Sequence, residues 1–355
     1  MSNDKLHIGF KCRGGLGDIL IALNYIHAIR ESITSPNISI DIYAHTNLDM
    51  VKSLLPCESN FVDHVFLDKD IADNGNDKYD LFVYLNRFPD VRRRSMDKIY
   101  KFAPNLIEFV QACERYRIFN RRFYDSHICD GLANDVSEIL GKKRIQQPDI
   151  YELFGITEKF GYELSLRIGK ERTDYFEGLG LESKKYITIH RGTDTRQVKN
   201  SVKLWPFEFY QTLINYIKSN FPQVLIVQLG VSQDRCPSFD CVDVNLVGKT
   251  TNEDMKFLLK NSYLHIDNEG GNVHLRHALN GGSSVVLFGP TSPAFYGYDE
   301  NLNLRGKGCP IPCEWILNEW QGKCPKGKHY TKLPCMLSMT PEMVFREIEP
   351  ILKQI

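Results

Sequence analysis

One stretch, residues 263–293, constrains the fold more than any other: YLHIDNEGGNVHLRHALNGGSSVVLFGPTSP. An apolar run at 263–266 has the composition of a buried strand, and it breaks into Asp267, Asn268, Glu269 and the pair Gly270-Gly271. Helical spacing then covers 272–280, Gly281-Gly282 stop that helix, and 284–288 is a second apolar run closed by Gly289-Pro290-Thr291. Two loops thus fall at the carboxyl ends of parallel strands, where open α/β sheets bind ligands.

The rest of the chain repeats this alternation. A strand at 6–11 runs into Cys12-Arg13-Gly14-Gly15-Leu16-Gly17-Asp18, and apolar residues at helical spacing follow over 19–33. The glycines allow a ligand close to the backbone, and the helix amides favour an anion. Asp18 falls at or beside the helix N-cap, so a plain capping role stands next to a functional one. The third glycine of a dinucleotide fingerprint is missing, since position 20 is Leu. Strands are expected at 38–44 and 79–85, and Arg92, Arg93 and Arg94 read as a solvated charge run. The reading from about 104 to 170 is mostly helical. A second β/α series starts at 185–190, followed by a polar loop, 191–203, that carries Arg191, Thr193, Asp194, Arg196, Lys199 and Lys203. Trp205-Pro206 opens the next helix, 224–229 is a strand, and 250–253 caps a helix at 254–260.

A chain of 355 residues exceeds what a single core usually supports, so two domains are expected. Lys plus Arg and Asp plus Glu both number 44, and this balance steers the protein to neither nucleic acid nor an anionic membrane. No apolar run reaches membrane-spanning length, and the N-terminus lacks the apolar core of a signal peptide. A cytoplasmic protein is expected, with membrane contact at most peripheral.

Four passages, in this order, resemble glycosyltransferase family 9, the ADP-heptose-dependent heptosyltransferases of lipopolysaccharide synthesis. They are Gly14-Gly15-Leu16-Gly17-Asp18-Ile19-Leu20, Lys203-Leu204-Trp205-Pro206, the segment 269–279, and Phe288-Gly289-Pro290-Thr291-Ser292-Pro293. The resemblance implies two Rossmann-like α/β domains facing across a cleft, the GT-B arrangement. It places an acceptor domain at 1–170, a nucleotide-sugar domain at 171–340, and a last helix at 341–355 that crosses back to the first domain. It also implies an inverting transfer, with no metal needed for chemistry, from a nucleotide-diphosphate sugar (ADP-heptose foremost) to a saccharide, lipid-linked or protein acceptor. Asp18 matches the family's general base, and Lys203 the lysine that neutralises the departing phosphates. Gly17, Arg191, Thr193, Glu269, Gly270, Gly271, His274, Gly289, Pro290 and Thr291 are assigned to the donor. One departure stands out. The family usually has Asp five residues before the helix histidine, whereas here Glu269 holds that place and Asp267 lies two residues earlier. The spacing favours Glu269 as the donor-side carboxylate.

The tail carries Cys309, Cys313, Cys324 and Cys335. Four thiolates on two short arms suit a structural zinc or iron ion; reduced structural cysteines, or disulfides formed after purification, are the competing readings. A subgroup of protein-modifying heptosyltransferases is similar in holding iron through four cysteines. The other functions weighed are a nucleotide-sugar epimerase, a fucosyltransferase (191–194 with His190 is faintly similar to its basic motif) and a non-catalytic carbohydrate-binding relative.

Overall fold

Two seven-residue runs, Leu6–Cys12 (β1) and Ile38–Ala44 (β2), are buried along nearly their whole length and pair in parallel. Burial of both faces is what a parallel sheet covered by helices requires. The computed structural model describes residues 4–355 apart from 46, 56–60, 76, 87, 122–127, 144–153, 157–163, 193–200, 233–235 and 326–332. His64–Leu67 (β3) pairs with β2, Leu81–Leu85 (β4) pairs with β1, and Pro89–Arg94 (β5) closes the edge antiparallel to β4. The order is therefore β3-β2-β1-β4-β5. The three arginines expected to form a solvated run lie on this edge strand, exposed, where charge discourages pairing with another chain.

The second sheet is parallel throughout. It comprises Tyr186–His190 (β6), Leu225–Leu229 (β7), Val244–Asn245 (β8), Leu264–Asn268 (β9), Ser284–Phe288 (β10) and Leu302–Arg305 (β11), in the order β11-β10-β9-β6-β7-β8. The chain leaves β6 towards β7 and β8, then returns on the other side of β6 to lay down β9. The order thus reverses between β6 and β9, and a crevice opens at the carboxyl ends of strands that diverge in this way. The first sheet reverses likewise between β1 and β4.

Two compact units result: Met1–His127 with Gln147–Ser165, and Ile128–Gln146 with Leu166–Ile355. This corrects the single boundary expected near residue 170. The helix Leu132–Leu140 joins the second unit because the tail holds its N-terminus. Leu132 N donates to Glu314 O at 3.2 Å, Ala133 N to Glu314 Oε1 at 3.1 Å, and Cys129 N to Trp315 O at 3.0 Å. The last helix, expected to cross back to the first domain, is Pro341–Leu352. Its apolar face, Val344, Ile348 and Leu352, is buried in the second unit's own core, and Tyr216 on the helix Phe207–Asn220 donates to Glu342 at 2.7 Å.

Trp205 anchors that core. It is fully buried, its Nε1 donates to Met339 O at 2.8 Å, and its ring meets Tyr210 edge-on with centroids 5.0 Å apart. Truncating such a residue to alanine costs roughly 3–5 kcal/mol, so the Lys203-Leu204-Trp205-Pro206 passage is fixed mechanically at its tryptophan. Among the described residues no helix is long and apolar enough to cross a membrane.

Candidate functional site

The end of β9 carries three consecutive polar residues, Asp267, Asn268 and Glu269, which are 1%, 0% and 6% exposed. Polar groups that deep need partners, and here all three find them on the segment that follows β6. Asp267 Oδ2 meets His190 Nδ1 at 2.8 Å and His265 Nε2 at 3.3 Å. Asn268 Oδ1 accepts the Trp205 amide at 2.8 Å. Glu269 Oε2 lies 2.5 Å from Lys203 Nζ. One strand end thus fixes His190, Trp205 and Lys203 at the reversal of the sheet.

This arrangement separates the two acidic residues between which the sequence left a choice. Asp267 is committed to histidines, whereas Glu269 holds the lysine. Burial opposes ionisation of Glu269, but the charge and hydrogen bond of Lys203 outweigh it and keep the carboxyl below its ordinary pKa. Asp267 is also held low, with burial opposed and overcome by His190 and His265.

The helix Gly271–Ala278 starts directly after Glu269, with Gly270 as its extended N-cap. His274 lies one turn in, 6% exposed, its Nδ1 2.7 Å from the Tyr298 hydroxyl and its Nε2 3.9 Å from Glu269 Oε1. Burial pushes its pKa down to about 4, so the ring is neutral at physiological pH. Beside it, Gly289, Pro290 and Thr291 close β10. Pro290 O accepts from Cys313 N at 2.7 Å and Glu314 N at 3.2 Å, tying the loop to the cysteine tail. Glu314 is wholly buried, and burial raises its carboxyl to about 7. Glu269 Oε2 apart, four polar atoms here have no hydrogen-bond partner among the described residues: Asp267 Oδ1, Asn268 Nδ2, Thr291 Oγ1 and Glu314 Oε2. Unsatisfied polar atoms gathered at a strand-end crevice are what a polar ligand would engage.

Of the residues singled out from sequence, the structure gathers Lys203, Glu269, Gly270, Gly271, His274, Gly289, Pro290 and Thr291 at this end of the second sheet. Arg191 is turned into the fold, its Nε donating to Trp205 O at 2.9 Å. Thr193, Asp194, Arg196 and Lys199 lie outside the described residues. Gly17 and Asp18 belong to the first unit, in the opening turn of the helix Leu16–Glu31 that follows β1. Asp18 is exposed, and its Oδ2 accepts the Gly15 amide at 2.9 Å. The capping role is therefore real, and it also fixes the carboxylate at the first sheet's reversal. Sequence reading noted His190 only for a faint likeness to a fucosyltransferase motif, gave it no place in the donor site, and passed over Glu314. For His190 the signal was available, a polar residue ending an apolar strand; for Glu314 none was.

Cys309, Cys313, Cys324 and Cys335 are free thiols lining one cavity of about 10 Å³ with Val202, Gly289, Pro290 and Arg305. That is room for a single atom-sized guest. Burial pushes the Cys313 thiol up to about 12, and the other three cysteines add to the shift. Among the described residues no three His, Cys, Asp or Glu side chains are grouped to hold a metal ion. The donor set suits a thiophilic ion, and binding one would draw the sulfurs together and release their protons.

The sequence profile of glycosyltransferase family 9 (heptosyltransferase) matches residues 151–309. That stretch contains Lys203, Glu269, His274 and the loop 289–291, while Asp18, Glu314 and three of the four cysteines lie outside it. No curated protein matches the chain. Among solved structures, a family 9 glycosyltransferase from Veillonella parvula is 14% identical with a TM-score of 0.57, covering 100% of this chain and 99% of its own. The ADP-heptose lipopolysaccharide heptosyltransferase II of E. coli is 14% identical with a TM-score of 0.53, over 98% and 99%. The iron-containing dodecameric glycosyltransferase TibC from enterotoxigenic E. coli is 12% identical with a TM-score of 0.60, over 99% and 77%. The chain has the heptosyltransferase-like fold, two parallel-sheet α/β domains.

Proposed function

We propose that the protein is an inverting glycosyltransferase that moves a heptose or related sugar from a nucleoside diphosphate to a hydroxyl of a saccharide acceptor such as lipopolysaccharide. The observation that carries this reading is the Lys203 and Glu269 pair, fixed at the reversal of the second sheet inside the stretch that matches the family. Lys203 supplies a buried positive charge for the diphosphate. As the bond between the sugar and the diphosphate breaks, the electron pair goes to a phosphate oxygen, and an ammonium that tightens on it acts on the transition state. Glu269 and His274 offer a carboxylate and a neutral imidazole to sugar hydroxyls. The loop 289–291 and the amides of Gly270 and Gly271 at a helix start line the phosphates, where the dipole is favourable. The family resemblance assigns Gly17, Arg191 and Thr193 to the donor as well. Asp18 takes the proton from the attacking acceptor hydroxyl. A panel of ADP-, UDP- and GDP-sugars tests the reading by thermal midpoint, since a ligand that binds only the folded state must raise it. A rise with one nucleotide sugar that is lost in Lys203→Met supports the site, and no rise with any of them favours a non-catalytic relative.

A second reading, transfer to a protein hydroxyl by a chain carrying iron or zinc on Cys309, Cys313, Cys324 and Cys335, is favoured by the shared cavity of those sulfurs. An ion held there would crosslink the tail to the loop 289–291 and support the donor site structurally. Metal analysis of freshly purified protein decides it: about one equivalent of iron or zinc is expected, and less than a trace removes the idea.

A further inference from the structure

The pair formed by His190 and Asp267 is not used by the mechanism above. We propose that His190, its ring fixed by Asp267, presents Nε2 to the diphosphate of the nucleotide donor. This rests on the donor-site reading and adds a residue to it.

His190 ends β6, and Asp267 stands beside it on β9, so the pair sits at the reversal of the sheet. With Nδ1–H donated to Asp267, the ring has one nitrogen left to offer. A buried carboxylate behind an imidazole fixes its tautomer and orientation and stabilises it when a proton is added to the other nitrogen. His190 is the more accessible member of the pair: its side chain is 15% exposed, that of Asp267 only 2%. Among the described residues nothing hydrogen-bonds Nε2.

The neighbouring glycine carries the argument further. A Cβ at Gly192 would stand 2.4 Å from His190 Nε2, closer than any real contact. Gly192 does not have the positive φ that favours glycine, so the missing side chain serves the space around that nitrogen. A histidine that only pinned β6 to β9 would need Nδ1 alone. Around the pair stand His265 on β9, Tyr210 on the helix Phe207–Asn220, Arg191 next in the chain, and Cys236 after β7. His265 is fully buried, with Nδ1 2.9 Å from Thr188 Oγ1, so it does not compete for the ligand.

In the transfer step His190 forms no covalent bond. The nucleotide binds to the ring carrying a proton on each nitrogen, one donated to Asp267 and one to the phosphate. The electron pair of the breaking bond then goes to the diphosphate, the acceptor proton goes to Asp18, and Nε2–H hydrogen-bonds the departing phosphate oxygen beside Lys203.

The test is calorimetry with ADP, UDP and GDP, each against its monophosphate, on the full chain. His190→Asn puts an amide where Nδ1 was and cannot reach the phosphate, whereas His190→Gln places an amide near Nε2. The variant His190→Asn is expected to weaken the bound diphosphate about tenfold or more, with its monophosphate within about twofold, and His190→Gln to recover most of the loss. Asp267→Asn should weaken the diphosphate selectively too. Gly192→Ala, whose Cβ would force the ring away from its present place, should lose the same preference. Equal effects on di- and monophosphate in His190→Asn, or an unchanged preference in Gly192→Ala, overturn the inference alone. If the wild type binds none of the nucleotides, the donor-site reading falls and takes this one with it.

Discussion

The two sheets reverse at equivalent places and fill those places differently. After β1 stands an exposed carboxylate, Asp18, hydrogen-bonded to the Gly15 amide in its own turn and open to water. After β6 and β9 stand Asp267, Asn268, Glu269 and His274, none more than 6% exposed, with charges paired to Lys203 and His190 before any ligand arrives. The same topology thus builds one wet site and one dry site. A dry site makes each charge count for more, because the effective dielectric constant falls, and suits the stabilisation of a leaving diphosphate. A carboxylate in contact with water can pass its proton on between turnovers. The difference fits the proposed division, with proton removal at the first reversal and charge stabilisation at the second.

Four measurements sharpen or break that division. The largest effect is expected for Asp18→Asn, which should slow sugar transfer about 10²–10⁴-fold in a product assay. Transfer near the wild-type rate would move the base elsewhere. Next comes Lys203→Met, with kcat/KM lower by about 10²–10³ and most of the loss in kcat, read from initial rates. Glu269→Gln should be milder, about tenfold in kcat/KM for the sugar nucleotide, while the bare nucleoside diphosphate binds no worse because a competing negative charge has gone. The smallest concerns stability. His274 has its pKa depressed from 6.5 to about 4, so its contribution is full above pH 6.5 and is lost as the pH falls towards 4. His274→Gln should flatten that limb by up to roughly 3 kcal/mol, measured as thermal midpoints across that range against the wild type. A parallel limb would mean that another group dominates acid sensitivity.

Much of this was legible in the sequence. The strands expected at 38–44 and 284–288 match Ile38–Ala44 and Ser284–Phe288 because continuous apolar runs admit few alternatives. The capping sequence at 250–253 was readable, and Thr251 does accept from Asp254 N. β9 was cut short at 266 because Asp267 and Asn268 look like a turn when their partners lie some seventy residues away in the chain. The charged edge strand β5 reads as a loop for a related reason, since exposed arginines hide the ladder they decorate. The attachment of 128–146 to the second unit depends on hydrogen bonds donated to Glu314 and Trp315, which no local pattern announces. Glu269 was readable as the donor-side carboxylate from spacing, but its pairing with Lys203 belongs to the folded chain.

The central claim is that the two reversals divide the work, and calorimetric titration of one nucleoside diphosphate sugar into three proteins tests it most directly. The account predicts that wild type and Asp18→Asn bind the donor within about twofold of each other, and that Lys203→Met binds at least about tenfold more weakly. Comparable losses in both variants, or a loss in Asp18→Asn alone, would contradict it.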